Sequence, residues 1–245
     1  MWQWVVCGKH PAFKDYFHLG QRLSMVTALS EWVEKGYRGI ATGKTSFASL
    51  RSWRFWAGGL DRDTLLCGVL KESTDSVGRP FPLLLAGSGP LDKWKTRWDL
   101  VPRVCEQSWS QMESLSTRIF RSLKQLEDEL VRIRDPQLHW TGSSQSNTRA
   151  VIEGGYADQH GNSKNLGKIE SRLITMGAAG EIFVSLDEEP SQDPLSMIYV
   201  WHMSLKKHHP EPPKTVFMGG SATASYLAFF HRALMTEDFV RLWSV

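Results

Sequence analysis

The stretch Cys67-Gly-Val-Leu-Lys-Glu-Ser-Thr-Asp-Ser-Val-Gly-Arg-Pro-Phe-Pro-Leu-Leu-Leu-Ala86 sets two apolar, strand-like runs on either side of a connection dense in turn-forming and charged residues. The side chains of Ser73 and Asp75 can accept hydrogen bonds from amides just downstream, and Gly78 supplies a positive φ where the turn demands one. Arg79-Pro80 then forces an extended exit into Phe81-Pro82-Leu83. Such a loop holds the Asp75 carboxylate close to the Arg79 guanidinium, which suits a fixed internal ion pair or an anion-reading surface. The internal pair is the expectation adopted, because structural ion pairs outnumber catalytic ones.

Outward from this connection, Leu65 to Leu70 and Phe81 to Ala86 have strand length, and Ser52-Trp-Arg-Phe-Trp56 alternates between faces. Asp61-Arg-Asp63 and the Ser73 loop separate the three, so an antiparallel meander is the economical arrangement. Near the N-terminus, Trp2, Trp4 and Val6 alternate with Gln3 and Val5, the pattern of a half-buried strand. From residue 22 to Lys35, Leu23, Val26, Leu29 or Ser30, and Val33 recur at helical spacing, with Gly36 and Gly39 as stop signals. Val101, Val104, Trp109, Met112, Leu115, Ile119, Leu123, Leu126, Leu130 and Ile133 extend one amphipathic period over about 30 residues. At ~1.5 Å per residue that is about 45 Å, long enough for one end to kink or overhang.

Between Thr141 and Lys168 the chain turns polar and rich in Gly, Ser and Asn, the expected boundary between residues 1–140 and 141–245. The second part belongs to the same domain or packs closely on it. Beyond the boundary, Glu181 to Leu186 and Ser196 to Met203 read as strands, Lys206 to His209 as a basic turn, Thr215 to Met218 as a strand, and Ala222 to Leu234 as a helix. The fold class expected is α/β or α+β, a mainly antiparallel central sheet flanked by helices that include one long amphipathic helix.

With 245 residues, 41% of them hydrophobic, the chain has enough apolar surface to bury a large core. Its 29 basic and 26 acidic residues give a net charge of +3, too small for a phosphate-neutralising surface, so nucleic acid is not an expected partner. Cys7, Cys67 and Cys105 lie far apart in apolar contexts, which implies buried free thiols in a reducing cytosol. The opening residues Met1 to Gly8 lack the charged start of a signal peptide and read as a strand. No run of 18 apolar residues occurs, so direct membrane insertion is not expected.

Few segments carry catalytic signatures. Arg38-Gly-Ile-Ala-Thr-Gly-Lys-Thr45 resembles a phosphate loop, but Gly39 is one position late and a helix precedes it where a strand is required. The eight histidines have no i, i+4 pair and no Cys-x-x-Cys companion, so neither a metal nor another cofactor is expected. No Gly-x-Ser-x-Gly elbow is present. His10, Asp15, Asp75 and Arg79 converge if the first strand pairs beside the Ser73 connection; a buried network tying two loops is preferred over an acid/base site. Among eleven tryptophans, Trp94 and Trp98 sit one helical turn apart and are candidates for contact with an acidic partner, with core packing as the competing fate.

Two motifs, in order, carry a family resemblance. Ser73-x-Asp75-x-Val77-Gly78-Arg79-x-Phe81-Pro82-Leu83, after Gly68-Val69-Leu70, resembles the signature of the TagF/ImpM family of bacterial type VI secretion-associated proteins. Gly8-Lys9-His10-Pro11-Ala12-Phe13-Lys14-Asp15-Tyr16-Phe17 is similar to that family's opening Gly-Lys-x-Pro-x-x-Gly-Asp-Phe, with Trp32 at its downstream tryptophan. Lys14 stands where the family usually has glycine, and the resemblance is strong only over roughly the first 90 residues. It implies a cytoplasmic, non-enzymatic accessory protein acting as a post-translational repressor that sequesters a forkhead-associated-domain scaffold. Lys9, Pro11, Asp15, Ser73, Asp75, Gly78, Arg79 and Pro82 are then the candidate cluster, either structural or partner-binding. The competing expectations are a small hydrolase built on the His/Asp/Arg cluster and a structural subunit of the secretion apparatus.

Overall fold

Apolar side chains line both faces of the strands, so the sheet is forced to the middle of the molecule with helices on either side. The computed structural model describes residues 1–41, 50–59, 61, 63–137, 180–187 and 194–245. The polar stretch from Thr141 to Lys168, and the Gly43-Lys44-Thr45 part of the discounted phosphate loop, lie outside them.

Among the described residues the strands are β1 (Gln3–Gly8), β2 (Phe17–Leu19), β3 (Ser52–Gly58), β4 (Thr64–Lys71), β5 (Leu83–Pro90), β6 (Glu181–Ser185), β7 (Thr215–Gly220) and β8 (Ser225–Phe230). They form one antiparallel sheet in the order β2-β1-β5-β4-β3-β7-β8-β6, which joins strands from both flanks of residue 140. The meander expected for β3, β4 and β5 is present. Val5 and Cys7 face one core and Trp4 and Val6 the other, so β1 is buried on both sides and is not the half-buried strand expected.

Helix α1 (Ser24–Ala41) covers one face. It runs straight through Gly36 and Gly39, which do not stop it. A Cβ at Gly36 would overlap the ring of Phe239 on the last helix (α5, Thr236–Ser244), so the glycine permits close helix packing. The opposite face carries α2 (Val101–Thr117), α3 (Leu123–Leu130) and α4 (Pro194–His208).

A 3-10 segment, Trp94–Leu100, leads into α2, and together they span 24 residues, the long amphipathic helix of the fold. The apolar period reaches Ile133, but the backbone does not stay helical that far: Arg118 is extended, Phe120 turns into the core, and Ser122 starts α3. Ser122 Oγ accepts from the Gln125 amide at 3.2 Å, and Gln125 Oε1 accepts from the Arg121 amide at 3.0 Å. This Ser-x-x-Gln start signal outweighs the periodicity.

Two further expectations are corrected. Ser196 to Met203 belong to helix α4, whose Met197, Ile198, Trp201, His202 and Leu205 are buried. Lys206, Lys207 and His208 are its last turn and offset the helix dipole there. Ala222 to Leu234 contain strand β8, whose inner position between β7 and β6 leaves no polar face to reveal a period of two. Glu181–Ser185 and Thr215–Gly220 are strands as expected. Cys7, Cys67 and Cys105 are buried and free. Among the described residues no helix is long and apolar enough to cross a membrane.

Candidate functional site

Register brings the two sequence motifs together. Gly8 at the end of β1 pairs with Leu83 at the start of β5, and Leu83 pairs with Lys71 at the end of β4. The chain after β1 and the connection from β4 to β5 therefore leave the sheet at the same end. Gly8 has φ of 122°, and a Cβ there would overlap the Pro82 carbonyl oxygen, so only glycine lets buried Pro82 lie this close.

Within the connection, Thr74 bridges Pro80, and the Asp75 amide donates to the Arg79 carbonyl at 3.1 Å. The Gly78 amide donates to the Asp75 carbonyl at 2.9 Å, with Gly78 at φ 83°. Ser73 is buried, and its carbonyl accepts from the Phe81 amide at 3.0 Å.

Asp75 is the hub, its side chain wholly without exposed surface. Oδ1 accepts from the amides of Val77 (3.1 Å) and Arg79 (2.9 Å); Oδ2 accepts from Arg79 Nε (2.7 Å) and lies 3.1 Å from Lys9 Nζ. Burial alone would raise this carboxyl's pKa, but the Arg79 amide, the Lys9 ammonium, the Arg79 guanidinium and the Val77 amide together hold it far below the usual carboxylate range. Four donors occupy its lone pairs, the saturation of an internal strut.

Arg79 continues the network outward. Its Nη2 donates to Asp15 Oδ1 at 2.5 Å and to the Lys14 carbonyl at 2.6 Å. Asp15 and then Asp75 raise its pKa, keeping it charged. Here the network meets solvent: the Arg79 side chain is 53% exposed and that of Asp15 is 70% exposed. Lys9 Nζ also donates to the Arg79 carbonyl at 3.3 Å, and the Ser76 amide donates to the Phe13 carbonyl at 2.8 Å. The carbonyls of Phe13 and Lys14 were not legible as site atoms, since any residue supplies a carbonyl. Pro11 sits exposed in the turn between Lys9 and Phe13.

His10 does not join the cluster. Its Nδ1 accepts from the Ala12 amide at 3.1 Å, which leaves Nε2–H to donate to the Leu115 carbonyl at 3.2 Å, and its ring lies 5.6 Å from both Phe13 and Phe120. Burial lowers its pKa, so it stays neutral. It ties the N-terminal loop to the end of α2, separate from the acid/base set proposed for it.

Trp94 and Trp98, candidates for partner contact, are fully buried. Both ring systems meet Trp56, and Trp98 Nε1 donates to the Pro210 carbonyl at 3.1 Å. Their one-turn spacing serves the core. Among the described residues no group of three or more His, Cys, Asp or Glu side chains is placed to share a metal ion.

The fold resembles the crystal structure of PA0076 from Pseudomonas aeruginosa PAO1, with a TM-score of 0.53 and 16% identity over 98% of this chain and 93% of that one. At this identity the likeness speaks for the fold alone. No curated protein sequence matches the chain. The model of the TagF N-terminal domain, type VI secretion system-associated, matches residues 5–133, which include both motifs and every residue of the Lys9–Asp75–Arg79–Asp15 network. The chain therefore belongs to the type VI secretion system-associated family defined by the TagF N-terminal domain.

Proposed function

We propose that this chain is a non-enzymatic, cytoplasmic, post-translational repressor of the type VI secretion system, acting by holding a forkhead-associated-domain scaffold protein away from the machine. The observation that carries this reading is the saturation of Asp75, whose lone pairs are taken by Val77, Arg79 and Lys9. A carboxylate so occupied is a poor general base or nucleophile, but it is a good strut for a loop that must keep one shape. His10, the other acid/base candidate, has both ring nitrogens engaged by main-chain groups. What remains at the surface is the Asp15–Arg79 edge, a rigid charged feature of the kind that contributes to protein recognition. Family membership supports the secretion context; the repressor role and the partner are part of the proposal, since one fold hosts many functions.

The test is a pull-down from a secreting bacterium with the purified chain as bait. The scaffold is expected as the main captured protein. Capture of the bait without the scaffold counts against the proposal, and stable recovery of apparatus components in its place would favour a structural subunit.

A further inference from the structure

Arg79 is fixed on one side and open on the other. Of the five N–H donors of a guanidinium, Nε–H goes to Asp75 and the two on Nη2 go to Asp15 Oδ1 and the Lys14 carbonyl. The two on Nη1 meet no acceptor among the described residues, and the side chain is half-exposed. A guanidinium already held by three bonds offers the remaining pair at the surface with little further loss of rotamer freedom.

Its neighbours lie on the α1 side of the sheet. Asp15, bound to Arg79, is followed in the chain by Tyr16, and Phe81 stands two residues after Arg79. The Tyr16 ring meets Phe81 edge-on at 5.6 Å, Phe81 meets Tyr37 of α1 at 5.3 Å, and the Tyr16 hydroxyl lies 3.5 Å from Ser30 Oγ of α1. Braced in this way, Tyr16 is still 49% exposed. Lys14, on the other side of Asp15 in the chain, is exposed, and no carboxylate among the described residues pairs with its ammonium.

Charge narrows the kind of ligand. The three cations Lys9, Lys14 and Arg79 stand against the two carboxylates Asp15 and Asp75, which leaves a local charge of +1. Glu34 of α1, close enough to act on the Tyr16 phenol, is matched by Arg38. One carboxylate neutralises the excess, whereas a phosphate dianion overshoots it beside the exposed Asp15 carboxylate.

We infer that the open Nη1 of Arg79, the Lys14 ammonium and the Tyr16 ring form the contact at which a protein partner places a carboxylate next to an apolar side chain. This deepens the proposed function and rests on it, with the scaffold as that partner. Arg79 and Lys14 steer and orient the carboxylate, and the Tyr16 ring covers the apolar group.

Binding of the purified full chain to the purified forkhead-associated-domain scaffold, followed by biolayer interferometry, tests the assignment. Lys14→Glu and Tyr16→Ala alter exposed side chains that make no bond to the Asp75 hub, and a thermal melt confirms that each is folded. Each is expected to weaken binding by at least about tenfold. Lys14→Arg, which keeps the charge, retains wild-type affinity, and so does Ile119→Ser, exposed at the end of α2 on the opposite face of the sheet. Wild-type affinity is expected to fall with added salt, and that of Lys14→Glu to fall less steeply. Phosphatase treatment of the scaffold is expected to change nothing; binding lost on that treatment would give the open edge to a phosphate and overturn the carboxylate. Binding of the wild type together with affinities within about twofold for Lys14→Glu and Tyr16→Ala overturns the surface and leaves the repressor reading standing. No binding by the wild type overturns that reading and the inference with it.

Discussion

Asp75 and Arg79 are joined twice within one turn: the Arg79 amide donates to Asp75 Oδ1 at 2.9 Å, and Arg79 Nε donates to Oδ2 at 2.7 Å. One side chain thereby fixes both the backbone and the guanidinium of the other. The second arm of that guanidinium reaches Asp15, so the turn from Asp75 to Arg79 sets the position of a loop about 60 residues earlier in the chain.

Acid sensitivity follows from that hub. The folded protein holds the Asp75 proton less tightly than the unfolded chain, whose value is about 3.9. The stability this carboxylate contributes is therefore full at neutral pH and is lost as pH falls below the unfolded value toward the depressed folded one. Thermal melts from pH 7 to pH 3 should show a smaller acid-induced drop in Tm for Asp75→Asn than for the wild type. At pH 7 the variant should be the less stable of the two. Equal acid profiles would contradict the account.

His202 makes a second, separable pH prediction. It is fully buried; Nε2 accepts from Trp56 Nε1 at 3.3 Å, so Nδ1–H donates to the Ile198 carbonyl at 2.7 Å. Burial lowers its pKa to about 4. Between that value and about 6.5 the unfolded chain binds the proton and the folded protein does not, so stability falls as pH drops through this window. The loss from this residue should reach about 2 kcal/mol by pH 5. Denaturant titrations of His202→Met should show a flatter pH dependence between pH 7 and pH 5.

Two glycines of α1 should respond in opposite directions. An alanine methyl at Gly36 must displace the Phe239 ring, and overpacking of that kind costs roughly 1–3 kcal/mol, more than the gain in helix propensity. At Gly39 a Cβ meets nothing within 4 Å among the described residues, so alanine should stabilise by about 0.5–1 kcal/mol. Urea midpoints of the two variants read the difference directly.

Arg54 clamps α2 to the sheet. Its guanidinium donates to Glu113 at 2.7 and 2.8 Å and to Glu106 at 2.8 and 3.0 Å. Burial opposes its charge, but Glu113 and then Glu106 raise its pKa, so it remains a cation. Arg54→Ala leaves two carboxylates facing each other beside an apolar sheet, and a loss of about 2–3 kcal/mol is expected. Arg54→Lys, which cannot reach both partners in fork geometry, should recover only part of it in chemical denaturation.

How legible the molecule was depends on where each signal resides. The Ser73–Arg79 turn was readable because Asp75, Gly78 and Arg79-Pro80 act through their own backbone chemistry. The β3–β5 meander was readable because strand length and turn residues agree. By contrast, α4 exposes the apolar Leu195 and Met203 and β8 is an inner strand, so neither shows a clean polar face, and Ile198, Val200 and Leu227 carry the same apolar message in either conformation. The break after Thr117 was signalled by Ser122 and Gln125, which the longer apolar rhythm masked. Trp94 and Trp98 misled for a related reason, since one-turn spacing describes a stripe without saying which way it faces. In the site, Asp75, Arg79 and Asp15 were found from side-chain type and Lys9 from the family resemblance, whereas the carbonyls of Phe13 and Lys14 carry no side-chain signature. Ile119 was assigned to the buried stripe and emerges 87% exposed because the helix ends before it.

Sequestration and turnover differ most plainly in stoichiometry. Type VI secretion measured in cells producing graded amounts of this chain, with chain and scaffold quantified together, tests the repressor role directly. Holding the scaffold in a complex predicts that repression deepens in proportion to the complex and is complete only as the molar ratio approaches one. Complete repression at a ratio far below one would mean that each molecule acts many times, and would contradict the account.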